Sequence, residues 1–268
     1  MNNDPAHDVT PAQPRVLIVG HRGARGIAPE NTLASFQMAI DIGVDAIELD
    51  LHVTRDGDLV VMHDPALERT TDGTGEIGDF TFDELNRLNA AAKFVGEIEY
   101  GVQRIPTLHQ VFDLVGGKPS LYLEIKLRNN NTRYPGIERK MLDVVRGFNA
   151  LTSTLVTSFD FASLAEVKRI EPAIRTQVNI SAGYFDSLGS IEPKDVAMDL
   201  VKRGYRWIAI NKKYLTPEMF TALKERELNV HPWVVNEVDE MWRFVDMGVD
   251  LITTDRPDLL VAAYRKGR

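Results

Sequence analysis

Apolar positions along this chain recur in short runs that alternate between two periods. The stretches Val16–Val19, Ala46–Val53, Leu121–Lys126, Thr154–Ser158, Arg175–Asn179, Trp207–Ile210, Val230–Val234 and Leu251–Thr253 are continuous or two-residue-periodic apolar runs and read as strands. Between them lie stretches at helical spacing. In NTLASFQMAIDIG, Leu33, Phe36, Met38 and Ile40 fall largely on one side and Gly43 ends the pattern. TLHQVFDLVGG opens on a Thr-x-x-Gln capping box, Thr107 with Gln110, and TPEMFTALKERE places Thr216 as N-cap ahead of Pro217. DEMWRFVDMG and DLLVAAYRKG complete the helical series. Eight strands that each lead into a helix predict an α/β fold of the (β/α)8 TIM-barrel type, with a doubly wound open sheet as the rival. Only Asp64–Pro106 breaks the alternation. With its Thr81–Glu84 capping box and the turn-rich TTDGTGEIGD, it reads as a small insertion after a hairpin on the second strand. Residues 1–14 read as a polar flexible tail and 15–268 as one barrel domain.

The phase of two strands changes the picture from fold to chemistry. In DAIELDLHV, Ile47, Leu49 and Leu51 share one face while Glu48, Asp50 and His52 share the other. LYLEIK repeats this, with Tyr122, Glu124 and Lys126 opposite Leu121, Leu123 and Ile125. Three carboxylates therefore point inward at strand C-termini, where barrel active sites form, and burying them calls for a neutralising cation. The chain of 268 residues has no cysteine, so the donors are oxygens and suit Mg²⁺ or Ca²⁺ ahead of Zn²⁺. The first strand ends on His21-Arg22, more chemistry than a connector needs, and the Asp56-Gly57 hairpin signal returns LVVM and His63 to the same rim. Two histidines flanking a metal predict a base and an acid on opposite sides of a reacting phosphorus or carbonyl, with the Arg22 fork on phosphate oxygens. Ser158 and Asn211 fall at strand ends and are expected to line the same pocket. Asn31 reads as the N-cap of the first helix. His7 lies in the tail, His109 on a polar helix face and His231 before Pro232; none reads as catalytic. His52 points inward but lies past the acids.

Composition narrows the partners. A hydrophobic share of 44% and a charged share of 26% are those of a globule with a full core. A net charge of −8 argues against nucleic acid and against stable association with anionic membrane, and no apolar run approaches the ~20 residues of a membrane span. Oligomeric state leaves no trace in the sequence.

In order, HRG…PENT, ELDLHVTRDGDLVVMHD, LEIK, PWVVN and GVDLITTDRPD resemble the glycerophosphodiester phosphodiesterases, in particular the compact bacterial cytosolic kind. The resemblance runs from about Leu17 to Leu260, with His109 standing where an acidic residue is expected. It implies a TIM barrel in the cytoplasm, one divalent cation, and hydrolysis of small-molecule glycerophosphodiesters to sn-glycerol 3-phosphate and an alcohol. It further implies Glu48, Asp50 and Glu124 as metal ligands, His21 and His63 as the acid–base pair, and Arg22 and Lys126 on phosphate oxygens. Trp233 would pack on the glycerol carbons. The nucleophile would be water or the substrate's own glycerol hydroxyl. Two alternatives share much of this machinery. A lysophospholipase D or sphingomyelinase D-like barrel would act on a lipid phosphodiester and need an exposed apolar rim. A non-catalytic glycerol-phosphate-binding barrel could lose motif residues, and none is missing.

Overall fold

Parallel neighbours require a crossover, and here nearly every crossover is a helix laid over the outside of the sheet. The computed structural model describes residues 15–266, so the tail expected over 1–14 lies outside the described residues. Eight parallel strands form the barrel: β1 (Leu17–Gly20), β2 (Ala46–Val53), β4 (Ser120–Ile125), β5 (Thr154–Ser158), β6 (Arg175–Ile180), β7 (Trp207–Asn211), β8 (Asn229–Trp233) and β9 (Leu251–Thr254). They lie in the order β8-β7-β6-β5-β4-β2-β1-β9. The first and last in that order approach each other through Asp250 N to Val230 O (3.0 Å) and Val235 N to Thr253 O (2.9 Å), so the barrel is nearly closed. β3 (Leu59–Val61) pairs antiparallel with β2 outside this path.

Helices α1 (Leu33–Ile42), α3 (Leu108–Val115), α4 (Ile137–Gly147), α5 (Phe161–Ile170), α7 (Pro193–Lys202), α8 (Pro217–Lys224), α9 (Val238–Met247) and α10 (Pro257–Lys266) each follow one barrel strand. Two short helices are additions, α2 (Phe82–Leu85) in the insertion and α6 (Ala182–Leu188) after β6. The capping boxes at Thr81 and Thr107 form as the sequence predicts, and Thr216 caps α8. One cap differs. Thr32, not Asn31, is the N-cap of α1, and its side chain accepts from Ser35 N. Asn31 sits one residue earlier at φ 56°.

Outward residues of the strands, such as Ile47, Leu49 and Leu123, join Phe36, Leu108 and Met141 of the helices in the main core. Fully burying each such side chain is worth about 1.5–3 kcal/mol. Inside the barrel a separate apolar plug of Val19, Ala46, Tyr122, Leu155 and Leu251, with Trp207 against it, forms the floor. Above the plug, most of the side chains that line the barrel interior are polar. Every residue of β2 is buried, because both of its faces are covered.

The hairpin between β2 and β3 is wider than its Asp-Gly signal implies. Val53 pairs with Leu59, and Thr54 N bonds Asp58 O at 3.0 Å, which leaves Arg55, Asp56 and Gly57 as the loop. Gly57, at φ 98°, takes the left-handed position that a three-residue loop of this kind requires. Beyond β3 the insertion folds around its own small core of Met62, Leu67, Ile77, Leu85 and Ile105 and docks on the barrel rim.

Candidate active site

Register assembles the acids. In the β2–β4 ladder Asp50 lies beside Glu124 and Glu48 beside Tyr122, so the inward carboxylates of neighbouring strands share one level. One oxygen from each of Glu48, Asp50 and Glu124 lies within 4.8 Å of the others, and all three residues are buried. The resulting repulsion is partly answered by two cations. Lys126 Nζ reaches Glu124 Oε1 at 2.7 Å and Asp50 Oδ1 at 3.2 Å, and Arg22 Nε lies 3.3 Å from Asp50 Oδ2. Asn31 Nδ2 donates to Asp50 at 2.8 Å, and Asn179 Nδ2 donates to Glu124 at 3.2 Å.

These contacts divide the three acids. Burial works to raise the Asp50 carboxyl, but Lys126 and Arg22 outweigh it and hold Asp50 far below the ordinary carboxylate range. Glu48 moves the other way: burial first, then repulsion from Asp50 and Glu124, push it well above its usual value. Burial also raises Glu124, against the pull of Lys126. Three acids beside two cations leave an excess of negative charge in a dry place.

Both expected histidines reach the cavity that Glu48 and Glu124 line. His21 follows β1 directly, and its backbone N bonds Thr254 O at 3.0 Å. Its Nδ1 donates to Asp255 Oδ1 at 2.6 Å, while Nε2 lies 4.0 Å from Glu48 Oε2. The loop that carries it is tight. Gly23, at φ 90°, is pressed on Ser35 of α1, where a Cβ would come within 2.4 Å of the hydroxyl. His63 returns on the far side of the hairpin, with Nδ1 on Asp64 Oδ1. With both Nδ1 atoms engaged, Nε2 is the nitrogen each ring keeps for other partners. Burial lowers the basicity of both rings, taking His63 to about 4. Asp255 and Asp64 oppose that effect.

A cavity of about 260 Å³ opens between these groups at the C-terminal end of the barrel. His21, Arg22, Glu48, His63, Glu124 and Lys126 line it, whereas Asp50 is buried behind them. Trp233 lines the opposite wall, with Phe159 packed edge-on at 5.6 Å. Ser158 and Asn211 do not line the cavity, a correction to the expectation for both. Ser158 Oγ donates to Ile125 O at 2.8 Å, and Asn211 Oδ1 accepts from Lys213 N in the turn after β7. Their places are taken by Thr157 and Phe159 of the β5 end and Asn179 of β6. His231 lines the floor but is fully engaged, by Gln177 at 3.1 Å and Thr253 at 2.6 Å. His52 stays outside, bonded to Tyr134 and the His63 carbonyl, and His109 is exposed on α3.

Sequence reasoning missed Asp255, Asp64 and the true role of Asn31. Asp64 was legible as the residue after His63. Asp255 lies in the TTDRPD stretch, but nothing local pairs it with His21, 234 positions away.

Fold and site together define a class: a TIM-barrel protein whose cavity at the C-terminal end of the strands brings buried carboxylates, two cations and imidazoles together. Known proteins make the class particular. The profile of the glycerophosphoryl diester phosphodiesterase family matches residues 21–259. A glycerophosphodiester phosphodiesterase of Caldanaerobacter subterraneus subsp. tengcongensis is 36% identical over 253 residues, spanning 94% of this chain and 99% of that one. One from Bacillus subtilis is 32% identical over 257 residues, spanning 91% and 85%. Among solved structures, a glycerophosphodiester phosphodiesterase from Agrobacterium tumefaciens superposes with a TM-score of 0.77 at 27% identity, covering 93% of this chain and all 100% of that one. An Oleispira antarctica phosphodiesterase in complex with the product sn-glycerol-3-phosphate gives a TM-score of 0.80 at 27% identity, covering 94% and 97%. The chain belongs to the glycerophosphoryl diester phosphodiesterase family and is a phosphoric diester hydrolase.

Proposed function

We propose that the enzyme hydrolyses soluble glycerophosphodiesters to sn-glycerol 3-phosphate and an alcohol, using His21 and His63 as its proton carriers and one divalent cation held by Glu48, Asp50 and Glu124. The observation that carries this reading is the buried trio of carboxylates at a cavity that two imidazoles line. The donor set fits a hard cation: three oxygens, no thiolate, and two carboxyls whose ionised forms are disfavoured by burial and by the neighbouring acids. Mg²⁺ or Ca²⁺ bound there would supply Lewis-acid stabilisation of the phosphate. The remaining work falls to side chains. Arg22 and Lys126 hold nonbridging phosphate oxygens and stabilise the charge that develops on them. One imidazole takes the proton of the attacking hydroxyl at Nε2 and the other, charged once the anionic phosphate lies beside it, gives a proton to the departing alkoxide, whether the attacker is water or the glycerol hydroxyl. Trp233 and Phe159 offer apolar faces to the glycerol carbons.

The experiment is turnover of glycerophosphocholine with and without chelator, in the wild type and in His21→Ala and His63→Ala. General acid–base catalysis is worth ~10²–10⁴-fold, so each variant is expected to lose at least about a hundredfold in kcat while staying folded. Near-normal turnover in either removes that histidine from the chemistry, and turnover indifferent to EDTA removes the cation.

A second reading, action on a lysophospholipid, has one observation in its favour. Val95, Ile98 and Val102 of the insertion are 94%, 49% and 59% exposed, and Phe159 at the mouth is 42% exposed. Faster turnover of lysophosphatidylcholine than of glycerophosphocholine would establish it. The acidic surface favours the soluble diester.

A further inference from the structure

The contacts that hold His21 and His63 do not end at Asp255 and Asp64. Arg69 Nε donates to Asp64 Oδ2, and Arg25 Nη1 lies 3.6 Å from Asp255 Oδ1. Both arginines then converge on one carboxylate. Arg69 grips Glu30 with Nη1 at 3.0 Å and Nη2 at 2.7 Å, and Arg25 Nε donates to Glu30 Oε2 at 2.9 Å. A third guanidinium, Arg22, donates to Glu30 Oε1 at 2.8 Å. Glu30 is the anchored member, with only 10% of its side chain exposed, against 37% for Arg25 and 41% for Arg69.

We infer that Glu30 is a positioning residue for both proton carriers, the midpoint of a chain His21–Asp255–Arg25–Glu30–Arg69–Asp64–His63 that fixes the two imidazoles relative to each other across the cavity. The physical reason is geometric. A guanidinium is a planar fork, so a carboxylate gripped by several of them has little freedom to turn or shift. Glu30 belongs to the loop that carries His21, whereas Arg69 belongs to the insertion that begins just after His63. One largely enclosed carboxylate thereby ties the first loop to the segment after His63, adding to the register that the pairing of β1, β2 and β3 already sets. A staple for the loops would need a single ion pair; here three cations meet, and the two outer arms each terminate on the carboxylate that orients a histidine. The arms are unequal. Arg69 bonds Asp64 directly, while Arg25 stands off from Asp255, which Asn236 also holds through Nδ2 at 2.9 Å. Burial works to raise the Glu30 carboxyl, but Arg69 and Arg22 bring it down to about 2, so the junction stays charged.

The inference rests on the two-histidine reading above for its catalytic meaning, but not for its geometry, and the test separates the two. Imidazole Nδ1 protons shared with carboxylates resonate far downfield, and in the folded protein His21→Ala and His63→Ala assign them by deletion. Glu30→Gln should move both signals, Arg25→Gln the His21 signal alone and Arg69→Gln the His63 signal alone, with the larger displacement on the His63 arm. In Glu30→Gln, kcat should fall about tenfold or more with KM changed much less, since misplacing a catalytic group by about 1 Å costs up to about a hundredfold. Unmoved signals in a folded Glu30→Gln protein, or the same pattern from both arginine variants, would overturn the chain itself. Should Glu30→Gln fail to fold, the two arginine variants, at partly exposed positions, decide the matter. Retained turnover in both alanine variants would instead overturn the two-histidine reading and the catalytic meaning of the chain, leaving the resonance pattern to judge its geometry.

Discussion

Asn31 occupies the left-handed region at φ 56°, where a short polar side chain is tolerated and a β-branched one is not. That conformation takes it out of the capping position, which Thr32 fills, and sends its amide to Asp50. The sequence allows either role, because Asn and Thr are both good caps. The choice is made by the loop, which must bring Arg22 N within 3.1 Å of Glu48 Oε2 before it enters α1. Two effects support Asn31, and substitution separates them. Asn31→Gly keeps the backbone at ease and removes only the amide, so it should cost about 1.5–3 kcal/mol for a hydrogen bond to a charged group. Asn31→Ala adds left-handed strain of roughly 1–2 kcal/mol. Urea unfolding of the three proteins checks this, and a glycine variant as stable as wild type would mean the amide contributes nothing.

β2 does more than deliver two acids. Its third residue in the same phase, His52, turns both ring nitrogens to structural partners: Nε2 donates to the His63 carbonyl at 3.0 Å, so Nδ1 accepts from the Tyr134 hydroxyl at 2.9 Å. The strand thus places the carboxylates and then straps down the hairpin return that brings His63 back. Removing the ring in His52→Ala strands two buried polar groups, at about 1–3 kcal/mol each, and frees the His63 backbone. Stability should fall accordingly and kcat by about tenfold. Tyr134→Phe, which loses one hydroxyl, should cost about 1 kcal/mol and leave turnover within a few-fold. Wild-type kcat in His52→Ala would show that the strap does not matter. Phase was readable on β2 and β4 because charged and apolar residues alternate there. On β5 both Leu155 and Val156 are apolar, so the sequence does not say which faces inward. Leu155 joins the barrel floor and Val156 the outer core, which puts Thr157, paired with Glu124, in the cavity and turns Ser158 away from it. On β7 the phase of Asn211 is inward, following Trp207 and Ala209, but the strand ends there and the amide caps the next turn.

The molecule as a whole hides imidazoles. Burial lowers His52 and His63 to about 4 and His231 to about 3, so each is neutral in the folded protein at neutral pH. In the unfolded chain each titrates near 6.5, roughly the free value. Below that pH the unfolded state takes up protons that the folded state refuses, and stability falls with acidification. Stability is therefore full above the unfolded value and is lost progressively as the pH drops towards 4. The two most deeply buried rings, His52 and His231, give a slope of about 2.5 kcal/mol per pH unit near pH 5, and the more open His63 adds to it. Unfolding midpoints measured in chelator between pH 7.5 and 4.5 should show this limb starting above the carboxylate range, and His231→Gln should flatten it. A midpoint constant from pH 7 to 5 would contradict the burial of these rings as neutral groups.

What the sequence determined by itself was local. The alternation of strand and helix, the capping boxes, the oxygen-only donor set and the inward phase of Glu48, Asp50 and Glu124 all follow from residues close together in the chain, because side-chain direction repeats every two residues along a strand. What tertiary structure decided was which distant residues meet. The pairing of the first strand with the last sets Gly20 beside Thr254, and so His21 beside Asp255, a contact that no local pattern announces. The convergence of Arg22, Arg25 and Arg69 on Glu30 likewise exists only once the insertion docks on the first loop. Phase belongs to a single strand, whereas these contacts depend on closing the barrel, which fixes the relative height of every strand together.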